Sequence, residues 1–173
     1  MAVLPDVLDQ GLTTLFCGSA AGTVSARRQA YYAGPGNKFW PTLHATGMTD
    51  RRLAPEEYAD VLKFGIGFTD MNKTEFGADS DLNSSGDDPE AVQRKTEIYR
   101  PGFLAFTAKR PAGVFMKAIF GRGQVGYGLQ EDRIEDTRIF VLPSPSGLAR
   151  RFWDEKWWHE LAELHRYARD AGA

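Results

Sequence analysis

Apolar residues fall in short blocks along the chain, and the blocks switch between two periodicities. Thr13 to Cys17, Gly65 to Thr69, Phe103 to Thr107 and Arg138 to Leu142 are compact apolar runs with the length and makeup of strands. Between them the spacing becomes helical. Phe39, Trp40 and Leu43 give Asn37 to Ala45 one apolar face, with Gly47 as its stop. Pro55 opens a second helix over EEYADVLKF, whose acids lie in the first turn, where the dipole favours them. Asp88-Pro89-Glu90 caps a helix that runs to about Tyr99, and Pro111 to Phe120 carries Val114, Phe115, Ala118 and Ile119. From about Asp154 to Asp170, Trp157, Leu161, Leu164 and Ala168 recur at helical spacing. Two stretches follow neither period. Lys73 to Asp88 is rich in Gly, Ser and Asp and is expected to be an exposed, mobile loop; Gly121 to Gly128 reads as a loop with a short strand.

Strands alternating with helices imply a largely parallel sheet covered on both faces. The expected fold is therefore α/β, a three-layer α/β/α sandwich around four or five strands. At 173 residues, with no internal repeat or linker, the chain reads as a single domain over 1–173.

Composition narrows the function classes. Apolar residues at 42% and charged residues at 25% are ordinary for a soluble globular protein, and no run is long enough to span a membrane. The N-terminus lacks the basic start and long apolar centre of a signal peptide, so the expected compartment is cytoplasmic. The single cysteine, Cys17, excludes an internal disulfide and a four-cysteine metal site. A net charge of -2 argues against a bulk polyanion binder but leaves room for a local basic face, and Arg27, Arg28 and Lys38 crowd the first loop.

Candidate chemistry gathers where strands end. Gly18–Gly22, Thr69–Asn72 and Pro143–Arg150 all leave the carboxyl ends of expected strands, where loops of a parallel sheet converge on ligands. GSAAGT has neither the lysine nor the spacing of a phosphate-binding P-loop, and it is not the GxSxG of a serine hydrolase. His44, His159 and His165 fall on expected helices and form no metal-ligand grouping beyond the C-terminal pair His159 and His165, six residues apart.

LFCGSAAG followed by AGPGNKFW, then GIGFTDM, then VLPSPSGLAR resembles the uracil-DNA glycosylase superfamily, most closely its mismatch-specific uracil/thymine branch. With the opening VLPDVL, the similarity covers nearly the whole chain. The resemblance implies hydrolysis of the bond between deoxyribose and a flipped uracil, leaving an abasic site, with no metal or organic cofactor. It also implies a monomer acting on uracil-containing DNA, duplex first and single strands as a further candidate.

Carried over by position, Gly18, Ser19, Ala20, Ala21 and Gly22 floor a uracil pocket with Phe68 and Thr69, and Tyr32 is the aromatic on which the base stacks. Stacking returns roughly 1–3 kcal/mol of the extrusion cost. Leu148 is the wedge that fills the vacated duplex space; Ser144, Ser146, Gly147, Arg150, Lys38 and Lys73 are expected to face DNA. The branch carries an Asn in Gly-Ile-Asn-Pro-Gly that orients the attacking water, and here that position is Ala20. Asp70 is the first candidate to replace it, with Ser19 and Asn72 behind it. Plainer roles stay open: a core tyrosine for Tyr32, a turn cap for Asp70, a buried loop leucine for Leu148. The alternative function is a catalytically impaired module of the same fold that binds uracil or mismatches without cleaving.

Overall fold

The computed structural model describes residues 2–172, and in it the alternating blocks become a five-stranded sheet. Its strands are β1 (Thr14–Gly18), β2 (Ile66–Asp70), β3 (Phe103–Phe106), β4 (Gly128–Ile134) and β5 (Thr137–Val141), in the spatial order β2-β1-β3-β5-β4. All neighbours pair in parallel except β4, which runs antiparallel to β5 at one edge. Five helices accompany them: α1 (Thr23–Arg28), α2 (Phe39–Ala45), α3 (Pro89–Tyr99), α4 (Lys109–Phe120) and α5 (Glu155–Gly172).

The parallel strands are buried along nearly their whole length, so successive side chains feed two apolar layers. Phe16, Phe68, Ala105 and Phe140 meet α2 and α5 through Phe39, Leu43, Trp158 and Leu161. Leu15, Cys17, Leu104 and Ile139 meet α3 and α4 through Val92, Ala112, Phe115 and Met116. Two cores flanking one sheet make the expected three-layer sandwich. The outer edge of β2 is covered by the N-terminal segment, whose Val7 exchanges both backbone hydrogen bonds with Phe68.

Four local readings change. The strand β4 was not expected as such, because GLQEDRI is mostly polar; as a half-exposed edge it can carry Glu131, Asp132 and Arg133 outward. The segment Pro55–Phe64 is a 3-10 helix, not an α-helix. Its contacts with the core, Tyr58, Val61 and Phe64, lie three residues apart, the spacing that aligns side chains at three residues per turn. The buried stripe of α5 centres on Trp158, Leu161, Ala162 and His165, with Trp157, Leu164 and Ala168 at its margins. Finally, the loop after Lys73 contains 3-10 turns at Asp79–Asp81 and Ser84–Gly86, and Gly77 donates its N–H to Ala21 O at 2.9 Å. That hydrogen bond docks it on the glycine-rich loop.

Candidate functional site

A cleft of about 910 Å³ opens beyond the carboxyl ends of the parallel strands. Gly18 to Gly22 form its floor, Tyr32, Asp70 and Thr107 stand around that floor, and Ser144 to Ala149 close one side. Gly77–Asp81 form a further part of the wall, and the start of α4 adds Lys109 and Arg110.

The floor depends on a missing side chain. A Cβ on Gly18 would lie 3.0 Å from Asp70 Oδ1, 3.4 Å from the Tyr32 hydroxyl and 3.5 Å from Thr107 Oγ1. Three oxygens from three elements therefore surround one small space at the end of β1. Beside it the Ser19 hydroxyl is buried with no hydrogen-bond partner among the described residues. An unpaired buried hydroxyl costs on the order of 1–3 kcal/mol, which a bound molecule can recover.

Asp70 is the one acidic side chain of the floor, and its side chain is only 6% exposed. Register places it opposite Gly18 across β1 and β2. The backbone N–H of Met71 donates to Gly18 O and that of Asn72 to Ser19 O, so the two strand-end loops are stitched together. Burial raises the Asp70 carboxyl above the usual aspartate range, and the Lys73 ammonium, 3.2 Å from Oδ2, acts against that rise.

Tyr32 adopts φ 53°, a left-handed backbone that a bulky residue enters only under constraint. Its ring lies flat on Phe39, with centroids 3.9 Å apart and planes at 15°. Its hydroxyl contacts Thr107 Oγ1 at 3.4 Å. One face of the ring is thus braced from the core while the residue borders the cleft. Burial and the nearby Asp70 charge hold its phenol neutral.

Leu148 is 85% exposed at the head of a 3-10 turn, Gly147–Phe152. Ser146 caps that turn by accepting from Leu148 N. The loop is seated on the segment that carries Tyr32. Lys38 N donates to Pro145 O at 2.8 Å, and a Cβ on Gly147 would come within 2.9 Å of Pro35 O. Phe152, 57% exposed, is a second apolar residue at this rim.

Not every residue expected at the site borders the cleft. Phe68 lies beneath it, edge-on to Tyr32 and Phe39. Thr69 points to the opposite face of β2, where it meets Asp6 and Lys95. Asn72 is consumed in its own loop, donating to Glu75 and accepting from Thr74 and Glu75. Lys38 sits over the Trp153 ring, and Arg150 is exposed beside the wedge loop. Lys73 turns inward, 17% exposed and bonded to two aspartates, instead of facing outward toward DNA. The sequence reading missed Thr107 and the α4 start. The exit of β3 is a strand end like the other three, and the rule that located those loops applies to it equally. Among the described residues no helix is long and apolar enough to cross a membrane, and no cluster of three or more metal-binding side chains occurs.

Residues 5–162 match the family model of the uracil DNA glycosylase superfamily. The structure is also similar to the solution NMR structure of a candidate uracil DNA glycosylase from Methanosarcina acetivorans. That likeness has a TM-score of 0.68 at 26% identity, covering 94% of this chain and 96% of that one.

Proposed function

This chain belongs to the uracil DNA glycosylase superfamily, and from that membership we propose that it removes uracil from DNA. The reaction hydrolyses the bond between uracil N1 and deoxyribose C1′ and leaves an abasic site. The observation that carries the reading is the cleft floor, where the buried Asp70 carboxylate and the hydroxyl of the braced Tyr32 flank one small space at Gly18, and the Ser19 hydroxyl next along the chain has no partner among the described residues.

The flipped base stacks on Tyr32, recovering part of the cost of extrusion. As the glycosidic bond breaks, its electron pair goes to uracil and positive charge builds on the sugar. Asp70 stands on the sugar side, where a carboxylate favours the cation and accepts a proton from the water that attacks C1′. A carboxyl raised by burial is a better proton acceptor once ionised than an exposed one. Ser19 supplies the hydrogen bond to water or base that Ala20 lacks. Leu148 fills the gap in the duplex. Within the superfamily, AGPGNKFW and VLPSPSGLAR favour the mismatch-specific branch. The substrate is uracil-containing DNA, and the working form is a monomer.

End-labelled oligonucleotides carrying one uracil, incubated with protein and then treated with alkali, test the reading. Strand cleavage is expected, with turnover reduced about tenfold or more in Asp70→Asn, the loss typical of a general base. Absence of product from folded wild-type protein overturns it. Ala20 favours the second reading, a binding module without catalysis, and salt-sensitive retention of uracil-containing DNA without product supports that one.

A further inference from the structure

Asp70 is the buried end of a partly buried chain of charges that runs away from the cleft. Its Oδ2 accepts from Lys73 Nζ at 3.2 Å. The same ammonium pairs with Asp6 Oδ1 at 3.0 Å and donates to the Tyr31 hydroxyl at 3.0 Å, which occupies its three N–H bonds. Asp6 Oδ2 pairs in turn with Lys95 Nζ at 2.7 Å. The order is Asp70, Lys73, Asp6, Lys95: alternating signs, no net charge, and contributions from the N-terminal segment, the β2 exit and α3. Lys73, Asp6 and Lys95 do not border the cleft, so they touch nothing bound there.

A partly buried ion network is weak ground for stability, since exposed pairs contribute little and apolar replacements of buried ones often serve as well. What this one does have is direction. It binds one oxygen of Asp70 and leaves the other, Oδ1, beside the space above Gly18. We infer that Lys73, locked in place by Asp6 and Lys95, is a positioning residue that fixes the Asp70 carboxylate with Oδ1 toward the cleft and keeps it ionised. The inference rests on the reading of Asp70 as the group that handles water.

The charge environment agrees. The groups facing Asp70 are Lys73 from its own loop, Asp6 from the N-terminal segment, Lys95 from α3, Cys17 from β1, and Tyr31 and Tyr32 from the first loop. The thiol and both phenols are pushed up by burial and stay neutral. Burial would lower Lys73, but Asp70 and Asp6 outweigh it and hold the ammonium above its ordinary range. Asp70 itself is raised by burial and by the Asp6 charge, with Lys73 and Lys95 opposing.

Two measurements test the inference, one independent of activity. Carboxyl-carbon NMR titration follows Asp70 in the wild-type protein, Lys73→Met and Lys95→Met. The Asp70 midpoint is expected to rise by about one pH unit or more in Lys73→Met, and by less in Lys95→Met. In rate–pH profiles of uracil excision from a single-stranded oligonucleotide, the acid limb should move up by the same amount, with Lys73→Arg returning it toward wild type. An unmoved Asp70 midpoint in whichever of the two methionine variants folds overturns the proposal. An unmoved acid limb in an otherwise active Lys73→Met does so too. If Asp70→Asn retains full turnover, the reading of Asp70 fails, and the NMR titration still decides whether Lys73 sets its ionisation.

Discussion

A methyl group at position 18 would enter the space between Asp70 Oδ1, Tyr32 and Thr107. Contact at 3.0 Å from Oδ1 of a carboxylate whose Oδ2 is held by Lys73 leaves the neighbour little freedom to give way. Gly18→Ala is therefore expected to lower uracil excision about tenfold or more, by displacing the group that accepts the proton. Its cost in stability should stay near the 1–3 kcal/mol typical of local overpacking. Single-turnover rates beside thermal unfolding separate the two effects; full activity would mean that the floor oxygens do not meet the reacting atoms. At this scale the sequence was legible where chemistry is local. Gly18, Tyr32, Asp70 and Leu148 lie in short motifs with their own spacing. Asp6 and Lys95 were not legible, because their meaning depends on partners 67 and 22 residues away from Lys73 along the chain. Lys73 was expected to face DNA and turns inward instead, since a lysine after a strand-end loop looks the same in sequence whether it turns out or in.

Helix α5 shows how an element can be placed correctly and yet conceal a titrating group. His165 lies in its buried stripe, fully buried, with Nε2 donating to Phe64 O at 3.0 Å and Nδ1 accepting from the Thr14 hydroxyl at 2.8 Å. Burial lowers its pKa to about 4 against an ordinary 6.5. Below 6.5 the unfolded chain takes up a proton that the folded chain resists, so stability is complete above that pH and declines as pH falls toward 4. The loss approaches roughly 3 kcal/mol at the low end. Urea unfolding at several pH values should show this decline in the wild-type protein and a flatter profile in His165→Gln; parallel profiles would assign the acid sensitivity to other groups. Periodicity located α5, α3 and the four parallel strands because each buries a regular stripe. It failed at β4, whose outward side chains are charged, and at Pro55–Phe64 the proline and first-turn acids marked a helix without marking its 3-10 form, which shows only in the three-residue spacing of Tyr58, Val61 and Phe64 on the core.

For the whole molecule, the parallel sheet brings four strand ends to one edge, and that is why motifs scattered over 130 residues meet at a single cleft. The fold was legible because every parallel strand is buried on both faces and every crossover carries helical sequence. The Gly77–Asp81 wall was not, since nothing in a Gly/Ser/Asp-rich loop says that it bends back onto Ala21. The rim makes its own prediction. Leu148 is solvent-exposed and apolar at the tip of a polar loop, an arrangement that marks a contact surface. Leu148→Ala should slow excision from duplex more than from single strands, because only a duplex leaves a gap to fill; equal slowing on both substrates would remove the wedge role. The seam beneath that leucine has a further consequence. Where Gly147 meets Pro35 and Gly36, main chain lies against main chain with no side chain between. No rotamer change can lengthen or shorten such a join. The spacing between the loop that carries Leu148 and the segment that carries Tyr32 is thereby set by main chain alone, and any side chain larger than hydrogen at position 147 must push the two apart.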